Sequence, residues 1–449
     1  MSSAAAAAAP AKKKRDKVPA PGTKGETSTA FYTKKKWREV MQMSKLELQG
    51  RLLGPKGALV VGTALMKNRY VTVLDLSHNN ISDDGALSLA EMLKVNTLIQ
   101  TLNLSQNNIS DVGGIALASA FVPNVTPTGQ PGQWNRTLFS IILTGNNLGD
   151  DSLLAFSNAA ACHRDLTLVD LSWNHIGPLG TRCLMRCYQK NPLCNFVLAA
   201  NAIGDEGVEY LCAALKQHGG KNQTTLNLYR NDISHRGAAA IGQLLADDDR
   251  VLEVNLAGNT LGLRGIRELK NAMTSAPNVV RSLLLNDNMI GDEGAKELVP
   301  LITADLPMLE RLDLADNKIT DVGACSIVQA LMANTKIQLV NLQFNSLGSK
   351  AVAVLVDLVR QTKTIKSINV YGCVTAADLR RAITQVVGEA DGVHVEVGAD
   401  PDQGDEGNPL LMKLEEHLQM IADEEAQQRA KEEELKAKKK KKKKDSKTD

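Results

Sequence analysis

The segment LDLSHNNISDDGALSLAEML at residues 74–93 returns as LNLSQNNISDVGGIALASAF at residues 102–121, 28 positions later. Both copies place two leucines at alternating positions ahead of an asparagine. Both then continue into apolar residues at helical spacing. A pattern of this length that recurs at a fixed interval is the signature of a repeat architecture. The asparagine fixes the register in which the other copies can be found.

That asparagine recurs ten times along the chain. Successive copies lie 27 to 30 residues apart, apart from one step of 39 residues between Asn107 and Asn146. Two degenerate copies flank the series, with Arg51 and Cys373 at the asparagine position, so twelve units are predicted. The asparagines are Asn79, Asn107, Asn146, Asn174, Asn201, Asn231, Asn259, Asn288, Asn317 and Asn345.

Each unit predicts a short strand, a turn and a helix. Alternating leucines are typical of a strand that faces a core on one side. The asparagine follows where the chain leaves the strand, and its amide can pair loop backbone groups that would otherwise be buried without partners. A glycine usually stands six residues later, and the acidic residues just before it, as in ISDDG and IGDEG, predict a capped or acidic helix start.

This pattern resembles the leucine-rich repeat family in its long ribonuclease-inhibitor-like subtype, over residues 46–397. The resemblance implies an α/β fold: a horseshoe solenoid of about twelve 28-residue repeats. Strands pack about 4.8 Å apart and helices about 8–10 Å apart, so the strands are expected on the concave face and the helices on the convex face. Since no repeat buries its apolar face alone, we expect one body rather than two domains.

The ends of the chain differ from this array in composition. Residues 1–40 predict a basic disordered tail, in which Phe31, Tyr32 and Trp37 form an anchor for the first repeat. The leucine-rich domain is predicted at 41–397, with a proline-rich insertion at 122–136 and a closing strand in VHVEV at 393–397. A linker at 398–408, a charged helix at 409–435 and a Lys-rich tail at 436–449 follow.

Several classes of function find no support in the sequence. Seven cysteines and no predicted signal peptide favour a reducing compartment. A membrane span is not predicted, because the sequence contains no run of about eighteen apolar residues. A metal site near Cys183 and Cys187 stays an alternative to small buried core thiols. Phosphate-loop and nucleophile-elbow motifs are missing. We therefore predict no enzyme and no cofactor.

The residues between the leucines are predicted to line the concave face. This face gathers four of the few aromatic side chains, and aromatic and arginine residues dominate interface energetics. The alternative is that some of these side chains lie sideways in the ladder of repeats. The predicted partner-binding residues are Trp173, Tyr229, Arg230, Asp287, Asp313, Asp316, Phe344 and Tyr371.

The predicted function is a non-enzymatic protein-binding scaffold in the cytoplasm. The concave face takes a protein partner, and Lys-rich tails take an acidic polymer such as tubulin tails or, through the tails alone, nucleic acid. The build is similar to leucine-rich subunits of the nexin–dynein regulatory complex, which implies a cytoskeletal role in the axoneme of a cilium or flagellum. The alternative is a regulator of a small GTPase resembling the Ran GTPase-activating protein. A ribonuclease inhibitor proper is Cys-rich, which this chain is not.

Overall fold

The computed structural model describes residues 39–123, 134–218, 225–275, 279–304, 306, 308–373 and 394–396. Three-residue strands alternate with helices throughout. The strands are β1 (Lys45–Glu47), β2 (Val73–Asp75), β3 (Thr101–Asn103), β4 (Ser140–Ile142), β5 (Leu168–Asp170), β6 (Asn195–Val197), β7 (Thr225–Asn227), β8 (Glu253–Asn255), β9 (Ser282–Leu284), β10 (Arg311–Asp313), β11 (Leu339–Asn341), β12 (Ser367–Asn369) and β13 (His394–Glu396).

The helices follow the strands in turn, and the fifth repeat divides its helix in two. They are α1 (Gly54–Leu65), α2 (Ser82–Val95), α3 (Asp111–Ser119), α4 (Asp150–Cys162), α5 (Pro178–Thr181), α6 (Leu184–Lys190), α7 (Gly204–His218), α8 (His235–Asp247), α9 (Gly262–Ser275), α10 (Gly291–Thr303), α11 (Asp321–Ala333) and α12 (Ser349–Gln361).

Parallel strands form one face of this array and helices form the other. Strands β1 to β6 pair in chain order in one sheet, and β7 to β13 pair in chain order in a second sheet. The pairing register is the repeat itself, since Leu74 lies opposite Leu102 and Leu312 opposite Val340. Consecutive helices pack side by side. The predicted α/β solenoid of leucine-rich repeats is confirmed.

The core lies between the two layers and is mostly aliphatic. Leu74 and Leu76 are fully buried, whereas Asp75 between them is half-buried on the strand face. Leu89 and Ala90 of α2 close the core from the helix side. The period of two in the strand and the period near 3.6 in the helix thus direct apolar side chains of both elements into one layer.

The predicted asparagines form a hydrogen-bonded ladder from repeat to repeat. The Oδ1 atom of Asn107 accepts from the main-chain N–H groups of Asn79 and Ile81, at 2.9 and 3.3 Å. Its Nδ2 atom donates to the carbonyl oxygens of Leu76 and Leu104. The asparagine side chain thus pairs buried backbone groups of its own turn and of the preceding one, as the sequence predicts for loop backbone.

The ladder ends on the predicted degenerate copies. The main-chain N–H of Arg51 donates to Asn79 Oδ1 at 2.8 Å. The turn of the first unit is therefore paired by the asparagine side chain of the second. At the other end Cys373 takes the asparagine position: its Sγ atom accepts from the N–H of Asn345 at 3.4 Å and donates to the carbonyl of Leu342. A thiol can do both because it is a weak donor and a weak acceptor.

The sheet and the ladder are both interrupted between β6 and β7. No strand pairing joins these two neighbours, and Asn231 Oδ1 is a buried acceptor without a hydrogen-bond partner. The repeats are joined here by main-chain bonds from Ala200 N–H to Tyr229 O and from Asn201 N–H to Arg230 O. The predicted single array therefore contains a discontinuity, which coincides with the 30-residue step from Asn201 to Asn231.

The acidic residues lie in the first turn of their helices, as predicted, and several of them also bind the next repeat. Asp205 Oδ1 accepts from the N–H groups of Ser234 and Gly237, which belong to the next repeat, at 2.8 and 2.9 Å. Asp292 makes the same bonds to Thr320 and Gly323. Asp205 and Asp292 therefore cap the following helix while lying in the first turn of their own. At Gly237 and Gly323, six positions after the asparagine, the neighbouring carboxylate occupies part of the space that a longer side chain would need.

Strand β13 lies within the predicted closing strand and joins the edge of the second sheet through a bond from His394 N–H to Lys366 O. Three predicted features lie outside the described residues: the anchor residues Phe31, Tyr32 and Trp37, residues 124–133 of the insertion, and all of 397–449. The tail at 1–40, the linker at 398–408, the charged helix at 409–435 and the Lys-rich tail at 436–449 thus remain predictions.

Candidate functional site

The residue before each ladder asparagine forms a column along the rim of the strand face, called here the rim column. All of its members have positive φ, between 47° and 69°, a region that non-glycine residues seldom occupy. The repeat turn imposes this conformation whatever the residue is. The members are His78, Gln106, Gly145, Trp173, Ala200, Arg230, Gly258, Asp287, Asp316, Phe344 and Gly372.

Three side chains of the rim column, Gln106, Arg230 and Phe344, each lie over a glycine of the next repeat. A Cβ atom added at Gly258 would lie 2.5 Å from Arg230 Cγ, and one added at Gly372 would lie 2.6 Å from Phe344 Cδ1. At these two positions a larger residue than glycine would meet the side chain of the preceding repeat.

Trp173, Tyr229 and Arg230 form one group on this rim, named the tryptophan cluster. The Trp173 and Tyr229 ring centroids are 6.1 Å apart, and Arg230 Cζ lies 5.4 Å from the tyrosine centroid and 6.0 Å from the tryptophan centroid. Trp173 is 36% exposed, Tyr229 is half-buried and Arg230 is exposed. Guanidinium and indole faces at this distance attract each other and remain open to a ligand.

The tryptophan cluster bridges the discontinuity of the solenoid. Trp173 belongs to the repeat of β5, whereas Tyr229 and Arg230 follow β7. Between β6 and β7 lies a crevice of about 130 Å³, lined by Asn195, Val197 and neighbouring core leucines. The side chains of the cluster thus connect two halves whose strands do not pair.

Phe344 and Tyr371 form a second group, the phenylalanine cluster. Their ring centroids are 5.6 Å apart at an interplanar angle of 80°, an edge-to-face arrangement that aromatic pairs favour. Phe344 is 48% exposed. Three repeats separate the two clusters on the rim column. They carry Gly258, Asp287 and Asp316, and both aspartates are exposed.

Asp313 differs from the other predicted acidic residues. It is buried, and its carboxylate accepts from the N–H of Ala315 and from Asn341 Nδ2, each at 3.1 Å. Burial raises the pKa of Asp313 above its ordinary value, although both hydrogen bonds act in the opposite direction. The exposed carboxylates of the site are therefore those of Asp287 and Asp316.

The cysteines near the sixth repeat lie mainly in the core. Cys187, Cys194 and Cys212 are buried, and burial raises the pKa of Cys212 to about 12 and that of Cys183 to about 11. Thiols with these pKa values stay protonated at neutral pH, whereas metal ligation needs thiolates. In the described ranges no group of three or more histidine, cysteine or acidic side chains converges.

Of the predicted site residues, the structure brings Trp173, Tyr229 and Arg230 together and Phe344 and Tyr371 together. The sequence reasoning missed the left-handed backbone of the rim column and the glycines that lie beneath Arg230 and Phe344. One signal was available: the residue before the asparagine alternates between large and small from Trp173 to Gly258.

Comparison with known proteins supports the repeat assignment. A family profile described as "Leucine Rich repeat" matches residues 67–90, 95–118, 162–185, 197–212, 277–299 and 305–328. The chain is 34% identical over 111 residues to the ribonuclease inhibitor of Sus scrofa, covering 24% of each protein. It is 40% identical over 72 residues to NACHT, LRR and PYD domains-containing protein 3 of Mus musculus, covering 16% of this chain and 7% of that protein.

These alignments span a quarter or less of the length of either relative. Among solved structures, leiomodin-1 actin-binding site 2 matches with a TM-score of 0.30 and 18% identity, over 34% of this chain and 87% of that one. Within the described ranges, no helix combines the length and the hydropathy that a membrane crossing needs.

Proposed function

We propose, from the premise that this chain is a leucine-rich repeat protein of the ribonuclease-inhibitor-like type, that it is a non-enzymatic scaffold whose strand face binds a protein partner. The observation that carries the proposal is the tryptophan cluster. Three side chains of the kinds that dominate binding hot spots are packed against one another and still open to solvent.

The geometry of the rim favours a partner whose apolar and charged groups follow one another in a fixed order. The tryptophan cluster comes first, then the exposed carboxylates of Asp287 and Asp316, then the phenylalanine cluster. At about 4.8 Å per strand, the four steps from Arg230 to Phe344 span roughly 19 Å. A complementary surface presents basic groups between two apolar anchors.

Preorganisation is what makes this surface a binding site rather than a set of exposed side chains. Ordering a rotamer-rich side chain on binding costs about 0.5–1.5 kcal/mol. Arg230 is already held over Gly258, and Phe344 over Gly372. Part of that entropy is therefore lost on folding rather than on association.

The test is affinity capture from the native cells with the full-length chain, followed by titration of the recovered protein. Trp173→Ala and Tyr229→Ala are expected to weaken binding by about 2 kcal/mol each, or roughly thirtyfold. His78→Ala and Gln106→Ala are matched controls on the same rim column, outside both clusters. Equal losses in all four variants would contradict the proposal, and thermal unfolding confirms that each variant is folded.

The finer proposal places the scaffold in a ciliary or flagellar axoneme, with the Lys-rich tail at 436–449 on tubulin tails. Its support is the run of seven lysines from Lys438. Such binding weakens steeply between about 50 and 200 mM salt. Deletion of 436–449 is expected to abolish that salt-dependent co-sedimentation with microtubules and to spare the strand-face partner. Unchanged sedimentation would remove the axonemal proposal.

The alternative function, regulation of a small GTPase, rests on the exposed Arg230. A guanidinium supplied to a phosphate is a known means of accelerating GTP hydrolysis. A panel of small GTPases assayed with wild type and Arg230→Ala separates the two functions. Acceleration that depends on Arg230 would favour the regulator, whereas the scaffold proposal expects no change in hydrolysis rate.

A further inference from the structure

The helix face carries an aliphatic row that the fold itself does not use. Leu59, Leu87, Ile115 and Leu154 are exposed to 53%, 44%, 44% and 47%. Each stands eight residues after the asparagine position of its repeat. They therefore occupy one position on four successive helices, α1 to α4. Isolated exposed leucines are ordinary, but an unbroken row in register is a continuous apolar surface.

The row stops abruptly after the fourth helix. The same position holds a charged, small or thiol residue in every later repeat that the structure describes. The first of these, Arg182, has its guanidinium 6.0 Å from the Tyr210 ring. The later members are Arg182, Glu209, Ala239, Arg267, Lys296, Cys325 and Ala353. The leucine-rich repeat itself therefore does not require an aliphatic residue here.

Acidic groups flank the aliphatic row beside α2 and α4, whereas the exposed Lys56 stands at the equivalent position before Leu59 in α1. Asp84 and Asp151 lie three residues before Leu87 and Leu154, one helical turn away, and both are exposed. Glu91 lies one turn beyond Leu87 and is paired with Lys94. A second copy of this chain docked on the row would bring these carboxylates against one another. A partner with basic flanks would be attracted instead.

The distance between neighbouring side chains of the row indicates which secondary structure a partner would present to it. Packed helices lie about 8–10 Å apart, so the four side chains recur at that interval over roughly 27 Å. One heptad of α-helix rises about 10.5 Å, close to the same interval. An extended strand presents a side chain on one face about every 6.7 Å, which does not match.

We propose that this aliphatic row binds an amphipathic helix from a partner protein, about 20 residues long, with an apolar heptad stripe and basic flanks. The helix lies across α1 to α4, and each heptad meets one member of the row. This surface is on the opposite face from the tryptophan cluster, so a scaffold can hold two partners at once.

The experiment uses the full-length protein and a fluorescent 21-residue helical peptide with leucines at heptad spacing and lysine flanks. A twin peptide has glutamate flanks. We expect saturable binding of the lysine peptide by anisotropy and at least tenfold weaker binding of the glutamate twin. Leu87→Gln with Ile115→Gln should weaken the lysine peptide at least tenfold, whereas Ala239→Gln with Ala353→Gln, at the same position in later repeats, should not.

Trp173→Ala should leave peptide binding unchanged, which keeps this test independent of the strand-face proposal. No binding to wild type, equal binding of both peptides, or equal losses in both double variants would overturn the proposal. Sedimentation velocity adds a further outcome. If the wild type self-associates and Leu87→Gln with Ile115→Gln abolishes that association, the row binds a second copy and the helix proposal is wrong.

Discussion

The Oδ1 atom of Asn259 accepts a hydrogen bond from the main-chain N–H of Asn231 at 2.9 Å. Asn231, one repeat earlier, receives no equivalent bond: its own Oδ1 is buried without a partner. Two asparagines at the equivalent position of successive repeats thus differ in the main-chain groups that they bind. The difference marks the place where the strands β6 and β7 fail to pair.

The first prediction compares these two residues. Asn259→Ala removes five hydrogen bonds, including those from Asn231 and Ile233, and leaves buried backbone groups unpaired. We expect a loss of about 3 kcal/mol in the free energy of unfolding. Asn231→Ala removes two bonds and should cost roughly 1 kcal/mol less. Urea denaturation of both variants measures the difference, and equal losses would contradict the broken ladder.

The second prediction concerns the glycine beneath Phe344. Gly372→Ala introduces a Cβ at 2.6 Å from Phe344 Cδ1, at φ +69°. Gly262→Ala is the matched control, since its φ is +56° and its added Cβ meets nothing within 4 Å. The control should cost about 1 kcal/mol through backbone conformation alone. Gly372→Ala should cost more.

A double-mutant cycle isolates the contact behind that difference. In the background of Phe344→Ala, Gly372→Ala and Gly262→Ala should become equally destabilising, because the ring no longer occupies the space above Gly372. If Gly372→Ala stays more harmful without the ring, the packing of large over small on the rim column is wrong.

The third prediction is a pH dependence. Burial of Asp205 acts to raise its pKa, but hydrogen bonds from Ser234 and Gly237 outweigh it and lower the pKa below 3.8. A lowered folded-state pKa gives stability that is present above 3.8 and lost as the pH falls through the folded pKa. Asp205→Asn should therefore be less stable than wild type at pH 7, and the gap should close under acid. A gap independent of pH would exclude the inter-repeat cap.

The fourth prediction has the opposite sign. Burial raises the pKa of Asp313, so its charged form disfavours the folded state. The stability of wild type should then fall as the pH rises from 3.8 through the folded pKa. Between pH 3.5 and pH 7, the free energy of unfolding of Asp313→Asn should rise relative to that of wild type, while that of Asp205→Asn should fall relative to it. Parallel pH trends for the two variants in urea denaturation would contradict the assignment.

The fifth prediction concerns the thiols. Cys162 is exposed, whereas Cys187, Cys194, Cys212 and Cys373 are buried. Iodoacetamide at pH 8 should modify Cys162 first, and the buried thiols should react only after denaturation. Mass spectrometry of the labelled peptides measures the order. Rapid modification of Cys212 in the folded protein would show that the helix layer opens there.

Particular residues show how much of the structure could be predicted from the sequence. Asn79 and Asn107 were placed correctly because their partners lie one repeat away, and a repeat shows its own neighbours in the spacing. The predicted acidic first turn is confirmed for Asp205. Its bonds to the next helix start could not be predicted, because the sequence does not say which of two adjacent helix starts a short side chain will reach. The clusters on the rim were predicted as members of one face but not as contacts.

By itself, the sequence determined the parallel strands, the aliphatic core, the asparagine ladder and the positions of the degenerate copies at Arg51 and Cys373. These follow from local periodicity, and each unit repeats the same short-range physics. Only the tertiary structure decided that β6 and β7 stay unpaired, that Trp173 meets Tyr229 and Arg230 across that gap, and that four leucine and isoleucine side chains align on the helix face. Those features depend on how successive repeats are stacked. A small change in loop length between Asn201 and Asn231 shifts that stacking without altering the pattern of either repeat.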